Sequence, residues 1–494
     1  MASEPTISTV RDAEKRAAID LSLRHPVMFF FTSGAAWLVV ALVLGIMSSV
    51  KMHAPGFLDS CSWFTTGRVI PAYTNALVYG WGCQAGFGVM IWLMSRLSRQ
   101  ECRAAGTILV AGHAWNLGVS VGVLAILGGF GSGVPLMEFP TPAWAIMIIS
   151  YALITIWSVI QFRVREGGHI YVSQWYILAA LFWFPWIYLS SHLLIFVFEG
   201  NPVAAAGINA WFRSGLIYLF FIPIAVGSAY YLAPKVTGRP VFSYSLALLG
   251  FWSLAIIMPW AGLQKITGAP IAVFLGPWGA AATVLFVIPA VAVGVNVLKT
   301  MASNQQAVQY SPSLRFTAAG IVALLVFAGL GMLLNTLTGL RLTQFTIANY
   351  GMDVLAIYGV FSLCVFGAIY FIVPRIMGRE WLSGRLISMH FWLSVYGTIL
   401  VALFAIFGGF QQGVGQENYL DPWSAVAGRG TRYFIGITLS LLFVLGSNVF
   451  FVLHLMLMWL RLGRRSSHPT LLPHNAHGNS PHGPEGDIDA ITKA

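Results

Sequence analysis

Long apolar stretches recur along almost the whole chain and are separated by short polar segments. Each stretch has about 20 or more residues, enough to cross a hydrocarbon core of roughly 30 Å as an α-helix. The pattern therefore predicts an all-α membrane protein with twelve transmembrane helices. We expect them near residues 27–49, 70–95, 104–128, 140–162, 172–198, 207–233, 242–264, 272–298, 316–338, 345–373, 386–410 and 433–460.

Polar segments at both ends flank a single membrane domain, predicted over residues 26–462. Residues 1–25 are predicted to form an N-terminal tail, and their alternating charged and small residues suit a short interfacial helix. Residues 463–494 are rich in His, Pro and Gly and have little to bury, so we expect a disordered C-terminal tail. Between helices, the longest outer loops are expected at residues 50–69 and 411–432.

The composition agrees with this picture, because 57% of the residues are hydrophobic and only 9% are charged. A soluble protein of this size carries about 25% charged residues, so this chain has too little polar surface to cover a water-exposed globule. Its four cysteines show no paired spacing, and no disulfide framework is expected.

Basic residues are distributed unequally between the two sides of the predicted helices. Of the 27 Lys and Arg, the predicted outer side holds Lys51, Arg68, Arg213, Lys265, Arg341, Arg429 and Arg432, which leaves 20 on the inner side. Because short cytoplasmic segments carry the excess of Lys and Arg, both termini are predicted to be cytoplasmic, in a bacterial-type inner (plasma) membrane. The net charge of +11 thus reflects topology, and no nucleic-acid partner is expected.

Several phrases recur at defined places in the predicted helices. The second helix contains GRVIPAYTNALVYGWG, and the seventh contains RPVFSYSLALLGFWSLAIIMPWAG. The tenth and eleventh contain TIANYGMDVLAIYG, IYFIVPRIMGREW and RLISMHFWLSVYGTIL. Together these phrases resemble subunit I of the haem–copper oxidase superfamily, most closely the cytochrome cbb branch and its nitric-oxide-reductase relatives. The resemblance spans all twelve helices and implies the bundle of that family.

That family holds its cofactors with six histidines, whose positions can be located here by the flanking residues. The resemblance assigns a low-spin haem ligand to Tyr73, copper ligands to Ser214, Gln264 and Lys265, an active-site haem ligand to Asn349, and the second low-spin haem ligand to Gly351. None of the six is histidine, although the predicted topology puts all of them near the outer ends of their helices. We therefore expect no catalytic residue, no metal and no cofactor at these positions.

Haem b could be retained only if other side chains supplied the ligands. The intramembrane candidates are His113, His192, His390, His454, Tyr73 and Met352. Such histidines are more often hydrogen-bonded packing residues than ligands, and although a Tyr phenolate can ligate haem iron, Tyr73 has no evident histidine opposite it.

Three charged side chains fall in or near the same layer: Arg213, Lys265 and Asp353. Charges at membrane depth are costly and are usually paired or functional. One interpretation is that Asp353 pairs with Lys265 or Arg213 and replaces the charge of the metal. The other is a polar site for a proton, an ion or a quinone headgroup.

The expected function is that of a cytochrome-c oxidase subunit I-like protein in a respiratory electron-transfer complex, without cofactors and with a structural or regulatory role. Its expected partners are a membrane-anchored cytochrome c subunit or a catalytic oxidase subunit, within the lipid bilayer. One alternative is an active haem-containing oxygen or nitric-oxide reductase with rebuilt ligands. Another is a quinone-binding or ion-transporting protein on the same fold. The resemblance implies an oxidoreductase, but the ligand set for catalysis is absent, so enzyme activity stays open.

Overall fold

The computed structural model describes residues 7–168, 170–198 and 201–463. A short helix, α1 (Ile7–Ser22), precedes twelve helices that are long and apolar enough to cross a membrane. These are α2 (Arg24–His53), α3 (Thr66–Ser98), α4 (Ala105–Gly128), α5 (Thr141–Arg163), α6 (Val172–Val197), α7 (Pro202–Thr237), α8 (Tyr244–Ile266), α9 (Leu275–Ala302), α10 (Pro312–Leu334), α11 (Ala348–Met377), α12 (Gly384–Glu417) and α13 (Trp423–Trp459). The predicted all-α bundle of twelve helices is thus confirmed, with no strand among the described residues.

Helices α3, α7 and α11 form the centre of the bundle, since the most apolar windows of all three are almost wholly buried. Each contains a π-helical segment in its middle: Ala76–Cys83, Leu216–Phe221 and Leu355–Ser362. π-Helical segments are rare in proteins, and those that occur often lie at functional sites. Here they meet one another, because the rings of Phe221 and Phe361 lie 4.7 Å apart between centroids.

The three central helices carry four of the six substituted ligand positions, Tyr73, Ser214, Asn349 and Gly351. Each of these positions lies in the first half of its helix, just before the π-helical segment. The π-helical turns thus come directly after the candidate site in each helix. Because a π-helical turn holds extra residues, it changes the rotation of the helical segment that follows it.

The expected outer loop at residues 411–432 is wrong. Helix α12 continues to Glu417 and α13 begins at Trp423, which leaves only a short turn between them. Charged residues of this segment form ion pairs: Glu417 accepts from Arg341 at 2.8 Å, and Asp421 pairs with Arg429. The ninth predicted span is also shifted, since α10 ends at Leu334 and a separate short helix covers Leu337–Thr343.

Helix α1 packs on the bundle through its last turn, where Ile19 and Asp20 are buried. Asp20 accepts from the Trp92 indole at 3.0 Å and pairs with Arg96 at 3.3 Å, both on α3. The predicted tail at residues 463–494 lies outside the described residues except for Gly463. All four cysteines are free.

Candidate functional site

The seventh-helix phrase ends in a tight turn that positions the first two site residues. After Trp260 and Ala261, Gly262 adopts φ +113°, a backbone conformation that side chains rarely tolerate. An added Cβ would also lie 2.6 Å from the Ala210 carbonyl oxygen and 2.7 Å from the Ser214 hydroxyl of α7. Glycine is therefore required for the close approach of this turn to α7.

Gln264, at a copper-ligand position, is fully engaged in a buried amide network. Its Oε1 accepts from the Gly262 amide at 2.8 Å, closing its own turn. Its Nε2 donates to Thr283 Oγ1 at 2.8 Å and to Asn335 Oδ1 at 3.2 Å. The side chain therefore joins α8, α9 and the end of α10.

Asp353 of α11 lies between two cations. Arg213 Nη2 is 3.3 Å from Asp353 Oδ2, and Lys265 Nζ is 3.9 Å from Asp353 Oδ1. The side chains of Arg213, Lys265 and Asp353 are 32%, 25% and 27% exposed, so this ionic trio is only partly covered by protein. Sequence reasoning considered either pair; the structure brings both cations to the same carboxylate.

Four of the six substituted positions line one small cavity next to the trio: Ser214, Gln264, Lys265 and Asn349. Its volume is about 30 Å³, and since a water needs about 10–15 Å³ of such volume, about two waters fit. Tyr218 and Phe327 also line it, and with Phe286 they form a cluster whose centroids are 4.8 Å and 5.8 Å from that of Tyr218. Aromatic rings thus line the cavity together with Ser214, Gln264 and Lys265.

The remaining two positions, Tyr73 and Gly351, lie apart from this cavity. The Tyr73 and Tyr350 hydroxyls share a hydrogen bond of 3.3 Å, which joins α3 directly to α11. Gly351 faces α12, where an added Cβ would lie 3.0 Å from both Ala405 and Ile406 side chains. A side chain at Gly351 therefore has no room to point toward a cofactor.

Glu138 is a site residue that sequence reasoning missed. It lies in the loop between α4 and α5, is 5% exposed, and accepts from Asn75 Nδ2 at 2.6 Å, two residues after Tyr73. Burial raises the pKa of Glu138, while the hydrogen bond from Asn75 and the nearby Arg213 charge oppose that rise. A carboxyl in the apolar loop VPLMEFP, in a chain with only 16 acidic residues, was the available signal.

None of the four candidate histidines lines the cavity. His192 is bonded to the Tyr188 carbonyl at 2.7 Å and lies among aromatic rings. His390 bonds with the Tyr370 hydroxyl at 2.8 Å, and His454 accepts from the Ser383 amide at 3.3 Å. His113 stacks on Phe29 at the outside of the bundle. Of the six candidates, only Met352 lines the cavity.

The residues present do not fit the two haems and copper that the family resemblance implies. Copper in such sites takes imidazole ligands, and these positions supply a hydroxyl, two amides and an ammonium group. Within the described ranges, no group of three or more His, Cys, Asp or Glu side chains could hold a metal. The space beside them accommodates water, whereas ligand-sized pockets measure about 300–1,000 Å³.

A comparison with known proteins decides the family. The family model described as "Cytochrome C and Quinol oxidase polypeptide I" matches residues 25–429, most of the chain. The chain belongs to this family. It is therefore a cytochrome c oxidase subunit I-like protein.

Its curated relatives are similar over most of their length. The chain is 25% identical over 408 residues to a cbb3-type cytochrome c oxidase subunit, CcoN1, of Stutzerimonas stutzeri, covering 80% of this chain and 83% of that protein. It is 23% identical over 401 residues to a cytochrome c oxidase subunit 1 homolog of Agrobacterium tumefaciens (78% and 72% covered). It is 25% identical over 401 residues to cytochrome c oxidase subunit 1 of Rhodobacter capsulatus (76% and 73%). Twelve spans and bacterial relatives together make it a multi-pass protein of a bacterial inner membrane.

Proposed function

We propose that this subunit I homologue is cofactor-free and non-catalytic, and that it serves a respiratory membrane complex as a structural or regulatory subunit. The observation that carries the proposal is the set of contacts made by the residues at the copper-ligand positions that the resemblance implies. Gln264 and Lys265 are engaged in a protein-internal network of amides and ion pairs, and the adjoining cavity is about 30 Å³. In this proposal, the ion pairs of Asp353 with Arg213 and Lys265 take the place of a metal and its ligands.

The low-spin haem positions support the same proposal independently. Tyr73 and Tyr350 bond directly across α3 and α11, and the Tyr73 ring lies against Gly45 of α2, where an added Cβ would be 2.8 Å away. Gly351 is in contact with α12. These close contacts among α2, α3, α11 and α12 support the proposal, because side chains that pack where the resemblance implies a haem avoid a cost of about 24 cal/mol per Å³ of cavity.

The proposed partner is a membrane-anchored cytochrome c subunit or a catalytic oxidase subunit, because the similar bacterial proteins are named as oxidase subunits. The turn between α12 and α13 offers a contact surface, since Tyr419 is 91%, Leu420 80% and Trp423 68% exposed. Exposed apolar side chains at the tip of a membrane bundle suit either a partner or the headgroup layer.

Two substitutions in the affinity-tagged complex test this proposal. Tyr73→Phe and Asn349→Ala should each leave the reduced-minus-oxidised spectrum of the co-purified complex unaltered, because neither residue touches a cofactor. A shifted or lost haem band in either variant would favour the rival, a haem-containing reductase with rebuilt ligands. Co-purification of Tyr419→Ala/Trp423→Ala is the matched test of the partner surface, and an unchanged partner yield would exclude that surface.

A further inference from the structure

A second and much larger cavity lies at the opposite end of the bundle from the substituted ligand positions. It is an open cavity lined by α1, the end of α3, the start of α6, the end of α7 and the start of α8, and its volume is about 510 Å³. This volume falls within the range of small-molecule sites, about 300–1,000 Å³. Nothing in the proposed function uses it.

Positive charge dominates the lining of this cavity. Six basic residues contribute to it: Lys15, Arg16, Arg96, Arg99, Lys235 and Arg239. Among the described residues that line it, Asp12 is the only one with a carboxylate. Two more lie close by, since Glu166 pairs with Lys15 and Asp20 with Arg96. When both are counted, the basic residues still exceed the acidic ones by three, so the cavity favours an anion.

The rest of the lining is apolar and aromatic. Ile19, Leu97 and Val241 line it together with Tyr230 and Tyr244. Tyr244, at the first turn of α8, is 58% exposed at the end of a membrane-spanning helix. Tyrosines are enriched at this level of a bilayer, where an apolar ring meets polar headgroups. A cavity with a cationic part and an apolar part suits an amphiphile better than a small soluble anion.

The loop that carries Arg239 is held in place by hydrogen bonds. Gly238 ends α7 with φ +66°, and the Phe242 amide donates to Thr300 Oγ1 at 2.9 Å. The Ser243 amide donates to Asn296 Oδ1 at 2.9 Å. These contacts anchor the RPV phrase to α9, so the guanidinium projects from a fixed backbone rather than from a mobile loop.

We propose that this cavity binds the phosphodiester headgroup of an acidic phospholipid, with Lys235 and Arg239 among the cations that hold the phosphate. Basic pockets between transmembrane helices are suited to anionic headgroups, since each Lys or Arg near an anionic membrane surface strengthens binding about fivefold. The apolar side chains contact the glycerol and upper acyl region. The site is separate from the ionic trio, and its lipid does not depend on any redox role of the chain.

The test is a lipid titration of the purified full-length chain in neutral detergent, followed by native mass spectrometry. Phosphatidylglycerol should bind the wild type more tightly than phosphatidylcholine. Lys235→Gln/Arg239→Gln should bind its first phosphatidylglycerol roughly 25-fold more weakly, from about fivefold for each charge. Arg103→Gln/Arg163→Gln is the matched control, because both arginines are exposed near the same end of the bundle and outside the cavity lining.

A charge-preserving variant guards against misfolding: Lys235→Arg/Arg239→Lys should bind phosphatidylglycerol within a few-fold of the wild type. Equal affinities of the wild type and the double Gln variant would overturn the proposal, as would equal weakening in the control. Inorganic phosphate is the second arm. If it displaces phosphatidylglycerol at matched concentration, the site takes free phosphate and the lipid assignment is wrong.

Discussion

Both interpretations of the ionic trio, a structural ion pair and a polar binding site, depend on Asp353. Its carboxylate contacts Arg213 at 3.3 Å and Lys265 at 3.9 Å, so removal of the carboxylate leaves two like charges beside each other. Removal of either cation leaves the other as a partner. Asp353 should therefore be less tolerant of replacement than Lys265 or Arg213 alone.

Double-mutant cycles measure these couplings. For Asp353→Leu with Arg213→Met and with Lys265→Met, we expect coupling free energies of about 1 kcal/mol, larger for Arg213, because the pairs are partly exposed and so weaker than fully buried ones. The readout is thermal unfolding in detergent. Arg341–Glu417, with side chains 71% and 42% exposed, is the control pair and should show coupling near zero. Couplings below about 0.5 kcal/mol in both test cycles would contradict the pairing.

The buried carboxyl of Glu138 should make the stability of the folded chain depend on pH. Because burial raises its pKa, the folded state holds this proton more tightly than the unfolded state, whose pKa is about 4.3. Its contribution to stability is therefore present below that value and is lost as pH rises through the raised folded pKa. Glu138→Gln, neutral at every pH, should flatten this part of the stability profile in thermal unfolding scans.

The control for Glu138 is an acid of opposite behaviour. Glu166 is exposed, and the hydrogen bond from Lys15 lowers its pKa, so its contribution is present at neutral pH and lost on acidification. Glu166→Gln should leave the Glu138 phase intact. A Glu138→Gln profile that is parallel to the wild type throughout would contradict the assignment.

At the residue scale, the sequence predicted which residues lie together at the site better than it predicted their contacts. Flanking phrases located Ser214, Gln264, Lys265 and Asn349, and all four line the same cavity. The same reasoning could not find Glu138. Its contact with Asn75 depends on how the loop of residues 129–140 folds back onto α3, and no local motif predicts that. Nor could it find that Gly351 faces α12, since helix rotation is fixed by packing and not by the local motif.

At the scale of elements, helix α11 depends on glycine for its contact with α12. An added Cβ at Gly351 would lie 3.0 Å from Ala405 and Ile406. Gly351→Leu should therefore destabilise the bundle by about 1–3 kcal/mol through overpacking. Gly446→Leu on α13 is the matched control, because nothing lies within 4 Å of its Cβ position. Equal thermal midpoints for the two variants would show that α11 and α12 are not tightly packed.

Hydrophobic length predicted the existence of all twelve helices but not where α12 ends or where α13 begins. Helices α12 and α13 have 34 and 37 residues, so each is about 50–55 Å long against a hydrocarbon core of roughly 30 Å. Their ends extend beyond the apolar layer with charged residues in ion pairs. Hydropathy detects the membrane boundary, and a helix that continues past it is read as a loop.

At the scale of the whole molecule, orientation remains a prediction from the 20 inner and seven outer basic residues. A reporter that works only in the cytoplasm should be active when it is fused after Arg465, and a reporter that works only in the periplasm should be inactive there. The reason is that Lys and Arg are retained on the cytoplasmic side. A fusion after Asn418, between α12 and α13, should behave in the opposite way. Periplasmic activity after Arg465 would reverse the orientation of the bundle.

The chain has the subunit I fold, with the family match over residues 25–429, and we propose that protein contacts occupy the substituted ligand positions. The fold rests on the family match over residues 25–429, and the claim of no cofactor rests on the contacts of Gln264, Lys265, Asp353, Tyr73 and Gly351.

The most direct measurement is the haem and copper content of the isolated chain, separated from any partner and produced in a host that makes haem b. Its optical spectrum, with iron and copper analysis per chain, should show neither a stoichiometric haem b band nor stoichiometric copper. One haem b or one copper per chain would contradict the account, and would require ligands other than those at the substituted positions.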